Sequence, residues 1–260
     1  MANDLSSSDK QGQIPTNLRL LVLLEEVAKA GVPVTPSSLK DELNLPKPTL
    51  HRLFHTAEEA GYLQRDIDGR SYSPGPRLRT LAINTVSSQR LRTVRLNILR
   101  SVADEIGETC NIAIPDRDGM TYLDRVETHW PLRIQLPVGT QVPFHCTASG
   151  KMYLSSMRAS YLDRFLSRAK LETRGPNTFT DPDRLRAEIE QTRKRGYSTD
   201  NEEFMDGMCA VAVPIHDSQN RLLSTLSVHA PLQRLKLADL EAKIDALRSG
   251  ANELSKLLNA

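Results

Sequence analysis

The sequence predicts an α+β fold in two parts: an N-terminal winged helix-turn-helix and, beyond a linker helix, a larger domain with helices on an antiparallel sheet. Three short helical patterns followed by a hairpin signal at Asp68-Gly69 predict the first part. Strands and helices that alternate outside a βαβ rhythm predict the second. The boundaries follow: a disordered tail at 1–15, the winged helix-turn-helix at 16–78, the linker helix at 79–95 and the second domain at 96–260.

Length and composition restrict the class of protein. The 260 residues suffice for two cores, and no apolar run approaches the length of a membrane span. The first fifteen residues are polar, which predicts a disordered tail rather than a signal peptide. Three widely spaced cysteines, Cys110, Cys146 and Cys209, indicate neither a disulfide framework nor a metal site. We expect a cytoplasmic protein without metal or cofactor.

Two helical patterns open the first domain. The first ends at Gly31 and carries an apolar stripe at the spacing of a half-buried helix: Leu20, Leu23, Leu24, Val27 and Ala28. The second is predicted to begin at Thr35 as the N-cap, with Pro36 in the first helical position.

The third helix and the hairpin complete the unit. The turn "NLPK" precedes a helix with Pro48 in its first turn and a buried stripe of Leu50, Leu53, Phe54 and Ala57. Gly61 ends the helix, and the segment "YLQRDIDGRSYSP" is typical of a two-stranded wing. Helix, turn, helix and wing together predict a double-stranded DNA-binding surface.

The polar side of the third helix supplies the expected DNA contacts. Arg52 can donate two hydrogen bonds to guanine, and Thr49 and Lys47 suit phosphate oxygens. Arg65 and Arg70 flank the tip of the wing. The predicted DNA-binding residues are Lys47, Pro48, Thr49, His51, Arg52, Arg65 and Arg70. The alternative is a solvated helix face in a protein that does not bind DNA.

An arginine-rich stretch without acidic residues follows the wing: Arg70, Arg77, Arg79, Arg90, Arg92, Arg95 and Arg100. Three interpretations stay open: a solvated helix face, a surface against the DNA backbone, or a contact with a second chain.

The second domain shows strand patterns at "ETCNIAIPD", "GMTYLDRVE" and "MCAVAVPIHDSQNRLLSTLSVHAP", the last a hairpin turning at residues 218–220. A helix begins within "TASGKMYLSSM", and a charged helix is capped by Asp181 or Asp183. A final helix at about 236–258 buries Leu240, Ile244, Leu247, Ala251, Leu254 and Leu258.

No catalytic residues are predicted. The "SGK" segment fails as a phosphate-binding loop because Met152 follows the lysine, and the sequence lacks a G-x-S-x-G or HExxH motif. Cys146, next to His145, is expected to pack in the core. The segment "HCTASGK" instead places Thr147, Ala148 and Ser149 at a helix start, where free N–H groups favour a carboxylate. The alternative there is N-capping by Thr147 or Ser149.

The sequence resembles the IclR family of bacterial transcriptional regulators. The resemblance rests on "LNLPKPTLHRLFHTAEEAGYLQRDIDGRSYSPGPRL", "YLDRVE", "VPFHCTASGKMYL", "RGYSTDNEEFMDGM", "VAVPIHD" and "LSVHAP", which cover nearly all of the chain after Pro15. It implies a GAF-like α/β effector-binding domain after the linker helix. Pro48 departs from the family pattern, which has serine there.

Carried over by position, the resemblance implies an effector site of Ala148, Ser149, Asp200, Ala210, Ser227 and His229. At the position of His229, relatives that bind small keto acids have a hydroxyl residue, and Cys209 lies one position from the cysteine of such relatives. A cationic or hydrogen-bond-donating His229 suits a small organic acid, and its bulk favours an aromatic or sulfonated one.

The sequence therefore predicts a homodimeric or homotetrameric regulator that binds an operator in double-stranded DNA and is controlled by a small organic acid. The alternative is a ligand-binding protein or enzyme whose N-terminal helices only dimerise. A narrower alternative is a regulator whose second domain oligomerises and binds no effector.

Overall fold

The structure is a computed structural model that describes residues 14–66, 68–86, 89–116 and 118–258. Most of the predicted tail, residues 1–13, lies outside the described residues. The chain divides into two compact units, one up to Gln89 and one from Arg90, each with its own apolar core. No helix in the described part is long and apolar enough to cross a membrane.

The first unit has the predicted winged helix-turn-helix. Its elements are α1 (Arg19–Ala30), α2 (Lys40–Leu43), α3 (Lys47–Glu59), the antiparallel strands β1 (Leu63–Arg65) and β2 (Tyr72–Pro74), and α4 (Pro76–Val86). Of the predicted stripes, Leu23, Leu24 and Val27 of α1 and Leu50, Phe54 and Ala57 of α3 are buried together. The outer face of α3 is thereby turned to solvent.

The second helix is shorter than predicted. Thr35 Oγ1 accepts a hydrogen bond from the Ser38 amide, and Ser38 Oγ accepts one from the Thr35 amide, each at 3.2 Å. This reciprocal pairing resembles a helix cap, but residues 36–39 form turns and the α-helix begins only at Lys40. The prediction that Pro36 opens the helix is wrong, because these local side-chain bonds hold the segment in a turn.

The region predicted as one linker helix at 79–95 contains parts of two helices. One is α4, and the other is α5 (Gln89–Ile106), which runs on into the second unit. Ser87 and Ser88, between them, lie outside the described residues. From Leu99 onward, α5 packs in the core of the second unit.

The second unit is built on a six-stranded antiparallel sheet in the order β5-β4-β3-β8-β7-β6. Its elements after α5 are β3 (Thr109–Pro115), β4 (Gly119–Val126), β5 (Gln141–Pro143), α6 (Ala148–Ser156), α7 (Ala159–Arg168), α8 (Pro182–Arg195), β6 (Ser198–Asn201), β7 (Met208–His216), β8 (Leu222–Pro231), α9 (Leu237–Glu241) and α10 (Ile244–Leu258). This confirms the α+β class and is consistent with a GAF-like domain. The sequence did not predict β5, β6 or α7, and the final helix is divided between α9 and α10.

Helices cover both faces of this sheet. One face, with Ile112, Val211 and Val228, packs against α5, α9 and α10. On the other face α6 packs directly against β6, β7 and β8, and α7 and α8 pack beyond it. Both faces are therefore buried, so β3, β7 and β8 are mainly apolar, and the polar residues that face α6 are unusual for buried strands.

The arginine-rich stretch is largely occupied by contacts within each unit. Arg95 is 1% exposed and forms an ion pair with Asp124 of β4 at 2.7 Å, and the half-exposed Arg92 binds the same carboxylate at 3.2 Å. Arg77 stacks on Tyr62, and Arg79 donates to the carbonyl of Pro74. The interpretations of this stretch as a solvated helix face or as a surface against the DNA backbone are wrong for Arg95, because its guanidinium lies in the core of the second unit.

Candidate DNA-binding and effector-binding sites

The outer face of α3 carries the predicted DNA-binding residues in an accessible position. Lys47, Pro48, His51 and Arg52 are exposed and Thr49 is half-buried. Within the described residues, no hydrogen bond or ion pair engages the side chains of Lys47, His51 or Arg52. These groups are therefore available to a ligand outside the chain.

The start of α3 presents free backbone donors. Pro46, the residue before the helix, provides no side-chain cap, and Pro48 occupies the first turn without an N–H of its own. The remaining first-turn amides, which include that of Thr49, have no carbonyl partner within a helix. Together with the ammonium group of Lys47, they favour an anionic oxygen at this end of α3.

The wing is held to α3 by Arg65. Its guanidinium binds both carboxylate oxygens of Glu58 at 3.0 and 2.8 Å and the carbonyl of Gly69 at 3.1 Å, and it lies 5.1 Å from the ring of Tyr72. The hydrogen bonds from Arg65 lower the pKa of Glu58. Both arginines are exposed, but the contacts of Arg65 position the wing, whereas Arg70 lies at its tip.

The tip of the wing is fixed by an aspartate. Asp68 Oδ1 accepts hydrogen bonds from the amides of Arg70 and Ser71, both at 2.8 Å, and Gly69 has a φ of 67°. This is the local turn that the Asp68-Gly69 pair predicts. It holds the Arg70 backbone at the end of the hairpin.

The start of α6 shows which of the two expected caps is used. Thr147 Oγ1 accepts a hydrogen bond from the Gly150 amide at 3.1 Å, so Thr147 is the N-cap. Ser149 is 2% exposed, and its Oγ has no hydrogen-bond partner among the described residues. A buried hydroxyl without a partner costs stability unless a ligand or water satisfies it, so Ser149 points to a binding site.

The glycine and lysine of the "SGK" segment have structural roles that require no bound phosphate. A Cβ at this position would lie 2.4 Å from both Cα and O of Phe144, which are backbone atoms that cannot move aside. Lys151 is fully buried and pairs with Glu203 at 2.5 Å, with Glu188 further away at 3.7 Å. The glycine thus permits close packing of α6, and the lysine joins α6 to the loop after β6.

The remaining predicted effector residues lie together on the sheet face that α6 covers. Across the sheet, His229 pairs with Ala210 and Ala210 with Asp200, which places one side chain from each of β8, β7 and β6 in a row. Ser227 lies two residues from His229 on the same face of β8, and Ala148 packs against Ala210. All six predicted residues are buried: Ala148 and Ser149 lie in the first turn of α6, and the other four lie on the sheet face that α6 covers.

Asp200 is a buried carboxyl group at the edge of this row. It is 1% exposed, and its Oδ1 accepts hydrogen bonds from the amides of Glu203 at 2.8 Å and Phe204 at 3.3 Å. Burial, followed by the nearby charge of Glu203, raises its pKa to about 8. The group is therefore mainly neutral at pH 7 and does not repel an anionic ligand.

His229 is a neutral imidazole. Burial, followed by the charge of Arg125, lowers its pKa to about 3, so the expectation of a cationic His229 is wrong at neutral pH. Its Nε2 lies 3.3 Å from Ser227 Oγ, and its Nδ1 is buried without a partner in the described part of the chain. The ring of Tyr122 packs edge-on at 5.9 Å. His229 can offer a ligand one hydrogen bond and an aromatic edge.

The structure adds two polar residues that the sequence did not predict for this site. Asn111 of β3 pairs with Ser227, and Arg125 of β4 pairs with Asn111, so both lie on the same face of the sheet, in the row next to that of His229. Arg125 Nη1 donates to Asn111 Oδ1 at 2.8 Å, and Asn111 Nδ2 is buried without a partner in the described residues. An asparagine inside the apolar stretch "CNIAI" was the available sequence signal.

The buried cysteines are not nucleophiles. Burial, followed by the charges of Asp200 and Glu203, raises the pKa of Cys146 to about 12, and burial raises that of Cys209 to about 12 as well. Thiols with these pKa values carry almost no thiolate at neutral pH. Both residues fill the core, as expected for Cys146.

Comparison with protein families decides between a regulator and an enzyme. The model of the IclR helix-turn-helix domain matches residues 18–66, and the model of the bacterial transcriptional regulator IclR C-terminal domain matches residues 83–256. The chain belongs to the IclR family. It is accordingly a DNA-binding transcriptional regulator and not an enzyme.

Individual members of the IclR family match over nearly the whole chain. The probable transcriptional regulator SauR of Cupriavidus necator is 35% identical, over 92% of this chain and 95% of that protein. The transcriptional repressor IclR of Escherichia coli is 28% identical, over 89% and 85%. Both family domains are therefore present here in the usual order.

Solved structures of IclR-family members share the fold. The IclR protein of Thermotoga maritima is 27% identical with a TM-score of 0.63, covering 94% of this chain and 99% of that one. An IclR homolog from Microbacterium hydrocarbonoxydans, complexed with 4-hydroxybenzoate, is 28% identical with a TM-score of 0.60, covering 93% and 98%. A family member of this fold thus binds a small aromatic acid.

Proposed function

We propose that this chain is a cytoplasmic, homo-oligomeric regulator whose affinity for an operator is changed by a small organic acid, aromatic or sulfonated, bound beneath the start of α6. The observation that carries the effector proposal is that Ser149, Asn111 and His229, all buried where α6 packs on the sheet, each have a polar atom that lacks a partner within the described residues. Asp200 and His229, both mainly neutral at pH 7, let such a site accept an anion.

For the DNA, we propose that α3 enters the major groove. Arg52 lies on the exposed face and is free to donate two parallel hydrogen bonds to guanine O6 and N7. Lys47 and the free amides at the start of α3 bind phosphate, and Arg70 reaches the backbone or minor groove from the wing. Arg65 contributes by holding the wing to Glu58. His51 and Pro48 complete the contact surface.

The effector acts through linkage. An acid that binds one arrangement of the oligomer more tightly than another shifts the population toward that arrangement and so changes operator affinity. The size of the change is limited by the difference between the two affinities. A regulator that only oligomerises would bind no acid in this site.

Arg52→Ala is expected to lower affinity for the operator by about 1–3 kcal/mol and to relax specificity at one base pair, because a bidentate contact with guanine is lost. Lys47→Ala should instead weaken binding to all sequences and reduce the salt slope by about one. The operator is first selected from random or genomic DNA, and each protein is then titrated at several salt concentrations.

The matched control is Arg186→Ala, which removes a partly exposed arginine of α8 that binds Asp163. It changes the net charge equally but leaves α3 intact, so its operator affinity should equal that of the wild type. Recovery of an inverted repeat would support two copies of the chain on one operator. If Arg52→Ala and the wild type had the same operator affinity and the same specificity at every base pair, the proposal that Arg52 of α3 recognises a base would be overturned.

Ser149→Ala is expected to weaken binding of the effector by about 10-fold, because a hydrogen bond to a charged acid group is removed from a buried site. Calorimetry with 4-hydroxybenzoate and a panel of aromatic and sulfonated acids measures the affinity. Ser156→Ala is the control, since its exposed hydroxyl lies on the same helix and bonds only the carbonyl of Tyr153. An unchanged affinity in Ser149→Ala would place the acid elsewhere.

A further inference from the structure

The polar groups of the candidate effector site lie at two separate places. Ser198 Oγ of β6 donates to the carbonyl of Ala148, which places the start of α6 near the β6 edge, where Asp200 also lies. Asn111 lies on β3, three strands from β6 in the sheet. With about 4.8 Å between strands, the two places are separated by about 14 Å of sheet.

Small apolar side chains lie between these two places. Ala212 pairs with Ser227 and Ala210 with His229, and both alanines belong to a small apolar cluster with Ala148 and Met152. The site therefore has polar groups at two ends and an apolar middle. A single acid group at the start of α6 would leave the far end unsatisfied.

The orientation of the Asn111 amide is fixed by its neighbour. Arginine has only hydrogen-bond donors, so the bond from Arg125 Nη1 assigns the near atom of the amide as the oxygen, Oδ1. Arg125 is held in turn by Glu127 at 3.1 Å and by the carbonyl of Ile134, and its side chain is 4% exposed. The Nδ2 group must then point away from Arg125, and it is a donor without a partner among the described residues.

We infer that Asn111, oriented by Arg125, is a specificity-determining residue that donates a hydrogen bond to a second oxygen-bearing group of the effector. The effector class is then an organic acid with its acid group at the start of α6 and a hydroxyl, carbonyl or second acid group at the far end. His229 lies two residues from Ser227 on the neighbouring strand, and its Nδ1, which has no partner within the described residues, contributes at the same end. This inference rests on the proposed effector function.

The test measures calorimetric affinities for matched pairs of acids that differ only in the distal oxygen group and are long enough to approach both places: benzoate and 4-hydroxybenzoate, valerate and glutarate, hexanoate and adipate. For at least one pair, the wild-type full-length chain is expected to bind the member with the distal oxygen about 10-fold or more tightly, because a site with buried donors rejects an analogue that leaves them unpaired.

Asn111→Asp is the decisive variant. The new carboxylate still accepts from Arg125 and has nearly the same shape, but it presents an acceptor where the amide presents a donor. The preference for the distal oxygen should disappear, while the affinity for the simple acid changes less than 3-fold. The control is Asn97→Asp, an exposed asparagine of α5 whose Oδ1 likewise accepts from an arginine, Arg100, at 3.0 Å. It should keep the wild-type preference.

The outcomes separate the inference from the proposed function. If no acid binds, the effector proposal fails and the inference fails with it. If acids bind but both members of every pair bind equally, the effector proposal stands and the inference is overturned, since a buried water would then satisfy Asn111. A preference that persists in Asn111→Asp also overturns it, because the distal group would be recognised elsewhere. Thermal unfolding of each variant checks that the fold is intact.

Discussion

Asp124→Ala is expected to lower the free energy of unfolding of the second unit by about 3–5 kcal/mol, the usual cost of breaking a buried ion pair by removing one partner. Asp124 of β4 has a fully buried side chain, and it neutralises Arg95, which is 1% exposed. Without the carboxylate, the guanidinium of Arg95 would remain buried between α5 and the sheet with its charge uncompensated. Loss of this pair therefore destabilises the packing of α5 on the sheet.

Arg92→Ala provides the matched comparison at the same carboxylate. The side chain of Arg92 is 52% exposed and lies 3.2 Å from Asp124, so solvent screens the interaction and its loss should cost less than about 1 kcal/mol. Urea unfolding followed by the fluorescence of Trp130, the single tryptophan, reports on the second unit. Equal destabilisation by the two variants would show that the Asp124–Arg95 pair is not effectively buried.

Arg95 also shows why part of the fold could not be predicted from the sequence. Seven arginines in an acid-free stretch look alike, and the partner that buries Arg95 is 29 residues further along the chain. By contrast, the elements of the winged helix-turn-helix were predicted because their signals are local. Pro48 marks the start of α3, and Asp68-Gly69 marks the turn of the wing. Long-range partners carry no such signal.

The effector site likewise contains residues that the sequence predicted and residues that it did not. The six residues implied by the family resemblance all lie where α6 packs on the sheet, although their roles in binding stay a prediction. Asn111 was missed because both faces of β3 are buried, so the alternation of polar and apolar residues that normally assigns a face is absent. Only the register of β3 with β4 and β8 shows that Asn111 shares a face with Ser227.

The stability of the second unit without effector is expected to fall by about 1–2 kcal/mol between pH 6.5 and pH 8 because of Asp200. Burial raises the pKa of Asp200 to about 8, whereas an aspartate in an unfolded chain has a pKa of about 3.9. Between these values the folded protein binds a proton that the unfolded chain has lost. The stabilisation from Asp200 is therefore complete below about pH 4 and is lost as the pH rises through 8.

The buried histidines oppose this decrease of stability with rising pH, but only at lower pH. Burial lowers the pKa of His229 to about 3, so between pH 3 and about 6.5 the unfolded chain gains a proton there and stability falls with falling pH. Burial also lowers the pKa of His145 and His216. Above about pH 6.5 these histidines are neutral in both states, and the opposite slope of Asp200 remains.

Asp200→Asn removes the ionisation while its side-chain oxygen can still accept from the amides of Glu203 and Phe204. A separation of about four pKa units corresponds to at most about 5 kcal/mol, so the variant is expected to be more stable than the wild type by several kcal/mol at pH 8. Urea unfolding at pH 6.5, 7.25 and 8 measures the slope, with the exposed Asp206→Asn as control. If Asp200→Asn retained the wild-type slope, Asp200 would be ionised throughout, and an anionic effector beneath α6 would face its full charge.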